Sequence, residues 1–173
     1  MISVLVIGKY DFDRVMDLAL AARALGASGI SFCFDDKKRV EKAKISRKMG
    51  SIAKEWGGTF KVEFPEDWKE WIGAKKNYKK IYLTMYGVPM RKLTYTLRTY
   101  KNILLVVTTN KPLKDLFGVA DFNISITNQP HTSVSSVAVF LYEFYKEREP
   151  AMKFENAKVK VVPTDRGMMV EKV

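Results

Sequence analysis

The chain has 173 residues, of which 47% are hydrophobic, so it can fill one core but has little apolar material for a second. We therefore expect a single domain over residues 1–173. The net charge of +11 favours a polyanionic partner such as RNA or DNA, although a basic surface that only maintains solubility has the same composition. Cys33 is the only cysteine and His131 the only histidine, which excludes a disulfide framework within the chain and leaves too few soft ligands for zinc, so we expect no metal.

Short β-branched segments alternate with longer segments of helical period, which is typical of a parallel sheet covered by helices on both faces. The predicted fold class is α/β. The first strand, at 2–7, follows no basic leader, and no apolar run approaches the length of a membrane span, so we expect a cytoplasmic protein. The next predicted elements are a helix at 13–24, a strand at 29–34, a helix from about 37 to 56, a strand at 60–64 and a short helix that opens at 65–67.

The second half of the chain continues this alternation and ends in extended segments. The predicted elements there are strands at 79–84 and 103–107, a helix near 113–117, a strand at 122–126 and a helix at 133–145. The turn-rich sequence 163–167 separates two further extended segments, 158–162 and 168–172, and therefore predicts a C-terminal β-hairpin.

The common signatures of nucleotide-binding and hydrolase sites are missing from the sequence. Gly8 stands alone after the first strand, where a dinucleotide fingerprint needs three glycines, and no phosphate-binding loop or Gly-x-Ser-x-Gly elbow occurs. Three loops that follow predicted strands remain, at 83–87, 108–112 and 127–131. If these strands are neighbours, their carboxyl-end loops converge on one cleft, which is where α/β domains bind small molecules.

The loop Asn128-Gln129-Pro130-His131 has residue types that suit a binding site. Its two amides can donate and accept hydrogen bonds without carrying charge, as a zwitterion or a ribose requires, but they could equally cap the next helix or tie the backbone. Pro130 can fix the loop. His131 could orient a substrate, although a lone histidine at a helix entrance is more often a structural hydrogen-bonding group. In the first loop, Tyr86 and Gly87 are interpreted as a packing aromatic and a turn glycine, unless a bound ligand comes close to them.

These loops and their surroundings resemble the archaeal tRNA (cytidine-56) 2′-O-methyltransferases of the SPOUT superfamily. The resemblance rests on Leu83-Thr84-Met85-Tyr86-Gly87, on residues 120–131 with the helix after them, on residues 22–30, and on Pro163, Arg166 and Gly167. It implies a SPOUT-like parallel sheet flanked by helices with a C-terminal trefoil knot. It also implies S-adenosyl-L-methionine as the cofactor, tRNA as the substrate, and a homodimer.

The resemblance further implies roles for individual residues. The residues implied to line the cofactor pocket are Leu83, Thr108, Thr109, Asn110, Lys111, Ile126, Thr127, Asn128, Gln129, Pro130, His131, Thr132 and Ser133. An arginine after the first strand is implied to help activate the ribose hydroxyl, and Arg14 is the nearest candidate, with a surface salt bridge to Asp11 or Asp17 as the alternative. Because the loop after the first strand is shorter than in the family and the middle loop lacks the family's glycine, two alternatives stay open: a non-catalytic SPOUT-like RNA-binding protein, and a SPOUT enzyme that acts on another RNA position.

Three basic segments are candidates for contact with RNA. Two are dense tracts that could bind phosphates or could be solvated helix faces: Lys37, Lys38, Arg39, Lys42, Arg47 and Lys48, and Lys75, Lys76, Lys79 and Lys80. In the third segment, bases could stack on two tyrosines that lie among cations: Tyr95 and Tyr100, with Arg91, Lys92, Arg98 and Lys101. Leu93, Leu97 and Tyr100 also have helical spacing, however, which favours a core or subunit contact.

Overall fold

The computed structural model describes residues 1–36, 40–145 and 154–173. Within these residues the main sheet has six strands, in the spatial order β3-β2-β1-β5-β4-β6, and every adjacent pair is parallel. The strands are β1 (Ile2–Gly8), β2 (Gly29–Phe34), β3 (Lys61–Glu63), β4 (Lys79–Pro89), β5 (Ile103–Thr108) and β6 (Phe122–Ser125). The predicted α/β fold with a parallel sheet is confirmed.

Helices cover both faces of this sheet. They are α1 (Phe12–Ala24), α2 (Lys42–Trp56), α3 (Trp68–Ala74), α4 (Thr94–Leu97), α5 (Lys114–Val119) and α6 (Ser133–Tyr145). Side chains of α1, α2, α4 and α6 belong to one apolar cluster, whereas Ile72 of α3 and Leu116 of α5 belong to the other. The strands contribute alternate residues to the two clusters, so these clusters lie on opposite faces of the sheet. Among the helices described, none is both long and apolar enough to cross a membrane.

Two helix starts show how local chemistry sets the element boundaries. The carboxylate of Asp67 accepts hydrogen bonds from the backbone N–H groups of Lys69 (2.7 Å) and Glu70 (2.9 Å), which confirms a helix that opens at 65–67. The predicted helix from about 37 begins too early. Residues 37–39 lie outside the described part of the chain, and α2 begins only at Lys42, because Val40 packs on the core and Glu41 has a non-helical ψ of 57°.

Strand β4 is longer than the predicted strand at 79–84, because it resumes pairing after an irregularity. Both Leu83 and Val88 are Cα partners of Ile124, so residues 84–87 form a bulge beside β6. A Cβ at Gly87 would lie 2.5 Å from the carbonyl carbon of Asn123. The interpretation of Gly87 as a turn glycine is therefore wrong: this residue lacks a side chain because the bulge approaches the backbone of β6 closely. The trefoil knot implied by the resemblance stays a prediction.

The C-terminal segment forms the expected hairpin, with β7 (Val159–Val162) antiparallel to β8 (Met169–Lys172). Backbone hydrogen bonds attach it to the end of α2, from Gly58 N to Glu155 O at 2.7 Å and from Lys158 N to Glu55 O at 2.8 Å. Arg23 of α1 is buried at this junction. Its Nη2 donates to Gly57 O at 2.6 Å, its guanidinium lies 4.8 Å from the centre of the Phe154 ring, and burial lowers its pKa.

Candidate active site

The three predicted loops meet at the carboxyl edge of the sheet, because β5, β4 and β6 are neighbours. Two side chains connect them. Asn128 Nδ2 donates a hydrogen bond to the carbonyl oxygen of Met85 at 2.6 Å and so joins the third loop to the first. Ser133 Oγ donates to the carbonyl oxygen of Thr108 at 2.8 Å and so joins the third loop to the middle one. The convergence expected from the sequence is therefore observed.

A cavity of about 170 Å³ lies between these loops. Its walls combine apolar and polar side chains in similar number, and Thr84, Thr108, Ser133 and Ser136 contribute hydroxyl groups. The lining residues are Tyr82, Leu83, Thr84, Met85, Val107, Thr108, Asn110, Pro112, Pro130, His131, Ser133 and Ser136. A pocket that combines apolar side chains with several hydroxyls suits a flat heterocycle with polar edges.

A second cavity, of about 690 Å³, lies beside the first and extends to α1. Its lining residues are Arg14, Asp17, Leu18, Leu20, Thr108, Thr109, Asn110, His131, Thr132, Ser133 and Val134. Four residues line both cavities: Thr108, Asn110, His131 and Ser133. The smaller cavity alone is below the roughly 300–1,000 Å³ of ordinary ligand pockets, but the two cavities together form a cleft of sufficient size.

The start of α1 is held against the middle loop, and this contact brings Arg14 to the cleft. Thr109 of the middle loop makes this contact. Its backbone N–H donates to Ile7 O at 2.9 Å and its Oγ1 donates to Lys9 O at 3.0 Å. Gly8, with φ of 127°, permits the contact, because a Cβ there would lie 2.6 Å from Thr109 Oγ1. Sequence reasoning could not detect this contact, since its two sides are 100 residues apart.

Arg14 is exposed and lines the larger cavity. The alternative role of a salt bridge to Asp11 or Asp17 is not observed: within the described residues, its guanidinium forms no ion pair. The Asp11 carboxylate instead accepts a hydrogen bond from the backbone N–H of Arg14 at 3.0 Å and caps α1. The Arg14 side chain is therefore available to a ligand in the cleft.

The predicted cofactor residues fall into three groups. Those that line the smaller cavity are Leu83, Thr108, Asn110, Pro130, His131 and Ser133. Those that line only the larger cavity are Thr109 and Thr132. Those that line neither are Lys111, Ile126, Thr127, Asn128 and Gln129. In this last group Ile126 packs against the core, and Asn128 holds the first loop through Met85.

Several residues of the cavity wall were not predicted from the sequence. Tyr82 and Val107 belong to strands, and Ser136 belongs to the first turn of α6. The sequence pattern marked the loops alone, whereas the cavity wall also includes residues of the adjoining strands and helix. The available signal was their position within one or two residues of a strand end, or one turn after a helix start.

His131 and Thr132 each combine a local structural bond with a place in the cavity wall. His131 Nδ1 lies 2.7 Å from Gln129 O, a hydrogen bond that requires the proton on Nδ1 because a carbonyl oxygen only accepts. Thr132 Oγ1 accepts from the backbone N–H of Ser135 at 3.1 Å at the start of α6. The bond of His131 corresponds to its structural alternative, and both bonds fix the orientation of the two side chains at the cleft.

The basic tracts lie at different edges of the sheet. Lys42 and Lys44, in the first turn of α2, are paired with Glu66 (3.1 Å) and Glu41 (3.0 Å), and Lys44 lowers the pKa of Glu41 through its hydrogen bond. Residues Lys37, Lys38 and Arg39 of this tract lie outside the described residues. The second tract lies at the amino end of β4, where Lys79 pairs with Asp121 at 3.3 Å. That end is opposite to the cleft.

Comparison with solved structures defines the class of fold. The chain superposes on the A. aeolicus TrmH/SpoU tRNA modifying enzyme with a TM-score of 0.64 and 16% identity, covering 87% of this chain and 76% of that one. It superposes on the SpoU methyltransferase AviRb from Streptomyces viridochromogenes, solved in complex with the cofactor AdoMet, with a TM-score of 0.62 and 15% identity, over 84% of this chain and 57% of that one. The fold is therefore that of the SpoU methyltransferases.

Sequence comparison then gives the particular family. The model of the family described as tRNA ribose 2′-O-methyltransferase, aTrm56, matches residues 56–171. The tRNA (cytidine(56)-2′-O)-methyltransferase of Methanocaldococcus jannaschii is 33% identical over 88% of this chain and 84% of its own length. The protein of the same name from Nitrosopumilus maritimus is 34% identical over 92% of this chain and 88% of its own. The chain belongs to this family of tRNA ribose 2′-O-methyltransferases.

Proposed function

We propose that this chain transfers a methyl group from S-adenosyl-L-methionine to the ribose 2′-hydroxyl of cytidine 56 in the T-loop of tRNA. The observation that carries the proposal is the joined cleft. Its smaller part is enclosed by the three strand-end loops, and its larger part contains Arg14. The cofactor and the acceptor ribose would therefore be held side by side, as a direct group transfer requires.

The residues of the smaller cavity fit the adenine of S-adenosyl-L-methionine, and the rest of the cofactor would extend into the larger cavity past the residues that line both. Leu83 and Val107 offer apolar surface for the faces of adenine, and the loop backbone offers N–H and C=O groups for its edge. When bound, the cofactor supplies an activated methyl group on a sulfonium. The hydroxyls of Thr84 and Ser136 provide neutral partners within the same wall. Asn128 supports the site indirectly by fixing the carbonyl of Met85.

Arg14 is the proposed catalytic residue on the acceptor side. A ribose hydroxyl is a very weak acid, so its oxygen must be stabilised as it loses its proton. A guanidinium that has no carboxylate partner in the described structure can stabilise the developing negative charge and hold the neighbouring phosphate. It is too basic to accept the proton itself. Asp17 lines the same cavity and is a candidate acceptor.

We also propose that the protein is a homodimer and works in the cytoplasm, where its tRNA substrate is found. Support for the dimer comes from apolar side chains that remain exposed on the adjoining helices α1 and α6. Leu20 is 39% exposed, Val139 44% and Tyr142 42%. Leu20 also lines the larger cavity, so a partner that covers this surface would help to enclose the acceptor side of the cleft.

Titration calorimetry separates this function from a non-catalytic role. We expect S-adenosyl-L-methionine to bind the wild-type protein, and absence of heat at millimolar cofactor would contradict both enzymatic interpretations. The substrate is tested with two tRNA transcripts that differ only in the sugar of residue 56, ribose in one and 2′-deoxyribose in the other. Labelled methyl should enter the first transcript alone. Equal labelling of both would assign the activity to a base or to another RNA position.

A further inference from the structure

One continuous segment of the chain, residues 71–114, contains no Asp or Glu. It carries Lys75, Lys76, Lys79, Lys80, Arg91, Lys92, Arg98, Lys101, Lys111 and Lys114. The same segment contains the first and middle loops of the cleft and the short connection from β4 to β5 that includes α4. The segment therefore has a positive potential that no acid of its own reduces, and it lies partly at the edge where the proposed chemistry occurs.

The structure separates the residues of the α4 region into two sets, which the sequence could not do. The inward set is structural. Leu97 is fully buried, and Leu93 and Tyr100 pack on the same apolar cluster. Arg98 Nε donates to Phe144 O at 2.7 Å, and its Nη2 donates to Glu143 O, so this arginine satisfies carbonyl groups in the last turn of α6. The helical spacing of Leu93, Leu97 and Tyr100 is thus a core contact.

The outward set consists of Arg91, Lys92 and Tyr95. All three side chains are exposed, and Tyr95 is 87% exposed, the highest value among the exposed tyrosines. Within the described residues, the Tyr95 ring contacts no other aromatic ring and its hydroxyl forms no hydrogen bond. An aromatic ring in such a position gains nothing from packing within its own chain. It instead presents a flat face to solvent, next to two cations that have no ion-pair partner in the described structure.

The outward set begins close to the cleft. Pro89 is the Cα partner of Ser125, the last residue of β6, and Arg91 follows Pro89 by two residues. With about 3.8 Å between successive Cα atoms and about 4.8 Å between paired strands, the Cα atoms of Arg91 and Ser125 are within about 12 Å. The third loop of the cleft begins two residues after Ser125. A single-stranded RNA loop with one nucleotide in the cleft could therefore reach Arg91 with a neighbouring nucleotide, and Tyr95 follows Arg91 by four residues.

We infer that Arg91, Lys92 and Tyr95 form an RNA-contact surface, on which Tyr95 stacks against an unpaired base near the modified nucleotide and the two cations bind the flanking phosphates. This inference rests on the proposed function and adds to it the residues that hold the loop. An unpaired base offers a π face beside a charged phosphate, which matches an exposed ring beside two cations. The exposed Tyr142, in contrast, is followed by Glu143 and lies on the proposed dimer surface.

The test measures the dissociation constant of an unmodified tRNA transcript by filter binding at several salt concentrations. Tyr95→Ala should weaken binding by roughly five- to 150-fold, the range for loss of one base–aromatic stack, while Tyr95→Phe should stay within about twofold of wild type. The double variant Arg91→Ala, Lys92→Ala should make the salt slope shallower by about 1.4, since each single-strand phosphate contact accounts for about 0.7. Thr96→Ala, an exposed change on the same helix, is the matched control and should bind as wild type.

Calorimetry with the cofactor and sedimentation of each variant accompany the binding measurements. Tyr95→Ala should bind S-adenosyl-L-methionine normally and keep the wild-type oligomeric state. Unchanged RNA affinity in Tyr95→Ala would overturn the inference, and so would a change in oligomeric state, which would assign the ring to a subunit contact. If the wild type methylates tRNA and Tyr95→Ala binds tRNA equally well, only this inference fails. If Tyr95→Ala loses RNA affinity but the wild type transfers no methyl group, the proposed function fails and the RNA surface stands.

Discussion

Gly87 lies in the bulge of β4, next to residues that line the smaller cavity. Its replacement by alanine therefore tests both the packing of the bulge and the shape of the cavity. Its backbone passes so close to β6 that a Cβ would lie 2.5 Å from the carbonyl carbon of Asn123. Ordinary van der Waals contacts of a Cβ begin at a distance about 1 Å longer than this. Because the obstacle is backbone, it cannot be relieved by a change of rotamer, and the bulge or the strand must move.

The expected cost follows from this geometry. Overpacking typically destabilises by about 1–3 kcal/mol, and a clash with backbone belongs at the upper end. With a urea m-value of about 2 kcal/mol/M, a loss of about 3 kcal/mol lowers the unfolding midpoint by about 1.5 M. The same movement displaces Thr84 and Met85 from the cavity wall, so cofactor affinity should fall as well.

Urea unfolding followed by circular dichroism measures the midpoint, and calorimetry measures cofactor binding. Gly50→Ala is the matched control, because Gly50 lies within α2 and a Cβ there meets nothing within 4 Å. This control should gain about 0.5–1 kcal/mol from helix propensity. If Gly87→Ala unfolded within about 0.3 M of the wild type, the close approach of the bulge to β6 would be refuted.

Three further predictions concern the loops, the reaction and the assembly. Asn128→Ala should weaken cofactor binding by roughly two- to tenfold through loss of its bond to Met85 O, whereas Gln129→Ala, which removes an exposed amide, should leave the calorimetric affinity unchanged. Arg14→Ala should reduce single-turnover methyl transfer by about 100-fold with unaltered cofactor affinity, and a full rate would remove Arg14 as the catalytic residue. Val139→Asp should shift sedimentation towards the monomer, while Val119→Asp, equally exposed on the other face, should not; identical behaviour of the two variants would exclude α6 from the interface.

The sequence predicted the fold well because the relevant signals are local. Alternating apolar runs identified the strands, and Asp67 marked a helix start through its own side chain. The bulge in β4 was missed because the sequence of residues 84–87 contains no local signal for it. Its cause is the neighbouring strand β6, about 40 residues further along the chain, whose backbone excludes a Cβ at Gly87.

The candidate site was predicted in part, for similar reasons. The three loops were recognisable because they follow strands, and their convergence followed from the parallel sheet. The sequence did not show which residues of the third loop line the cavity and which hold the loop in place. Asn128 has the same residue type whether it binds a ligand or a backbone carbonyl, and only its 2.6 Å bond to Met85 O distinguishes the two. The same limit applied to Tyr95 and Tyr100, which have similar neighbours in sequence, although Tyr95 is exposed and Tyr100 is partly buried against the core.

The central claim is that this cleft methylates one ribose in tRNA, and nucleoside mapping tests it most directly. An unmodified tRNA transcript is incubated with the protein and labelled S-adenosyl-L-methionine, then digested and analysed by mass spectrometry with position mapping. We predict a single product, 2′-O-methylcytidine at position 56, formed about 100-fold more slowly by the Arg14→Ala protein. Methyl transfer to a base, or to a ribose outside the T-loop, would contradict the claim.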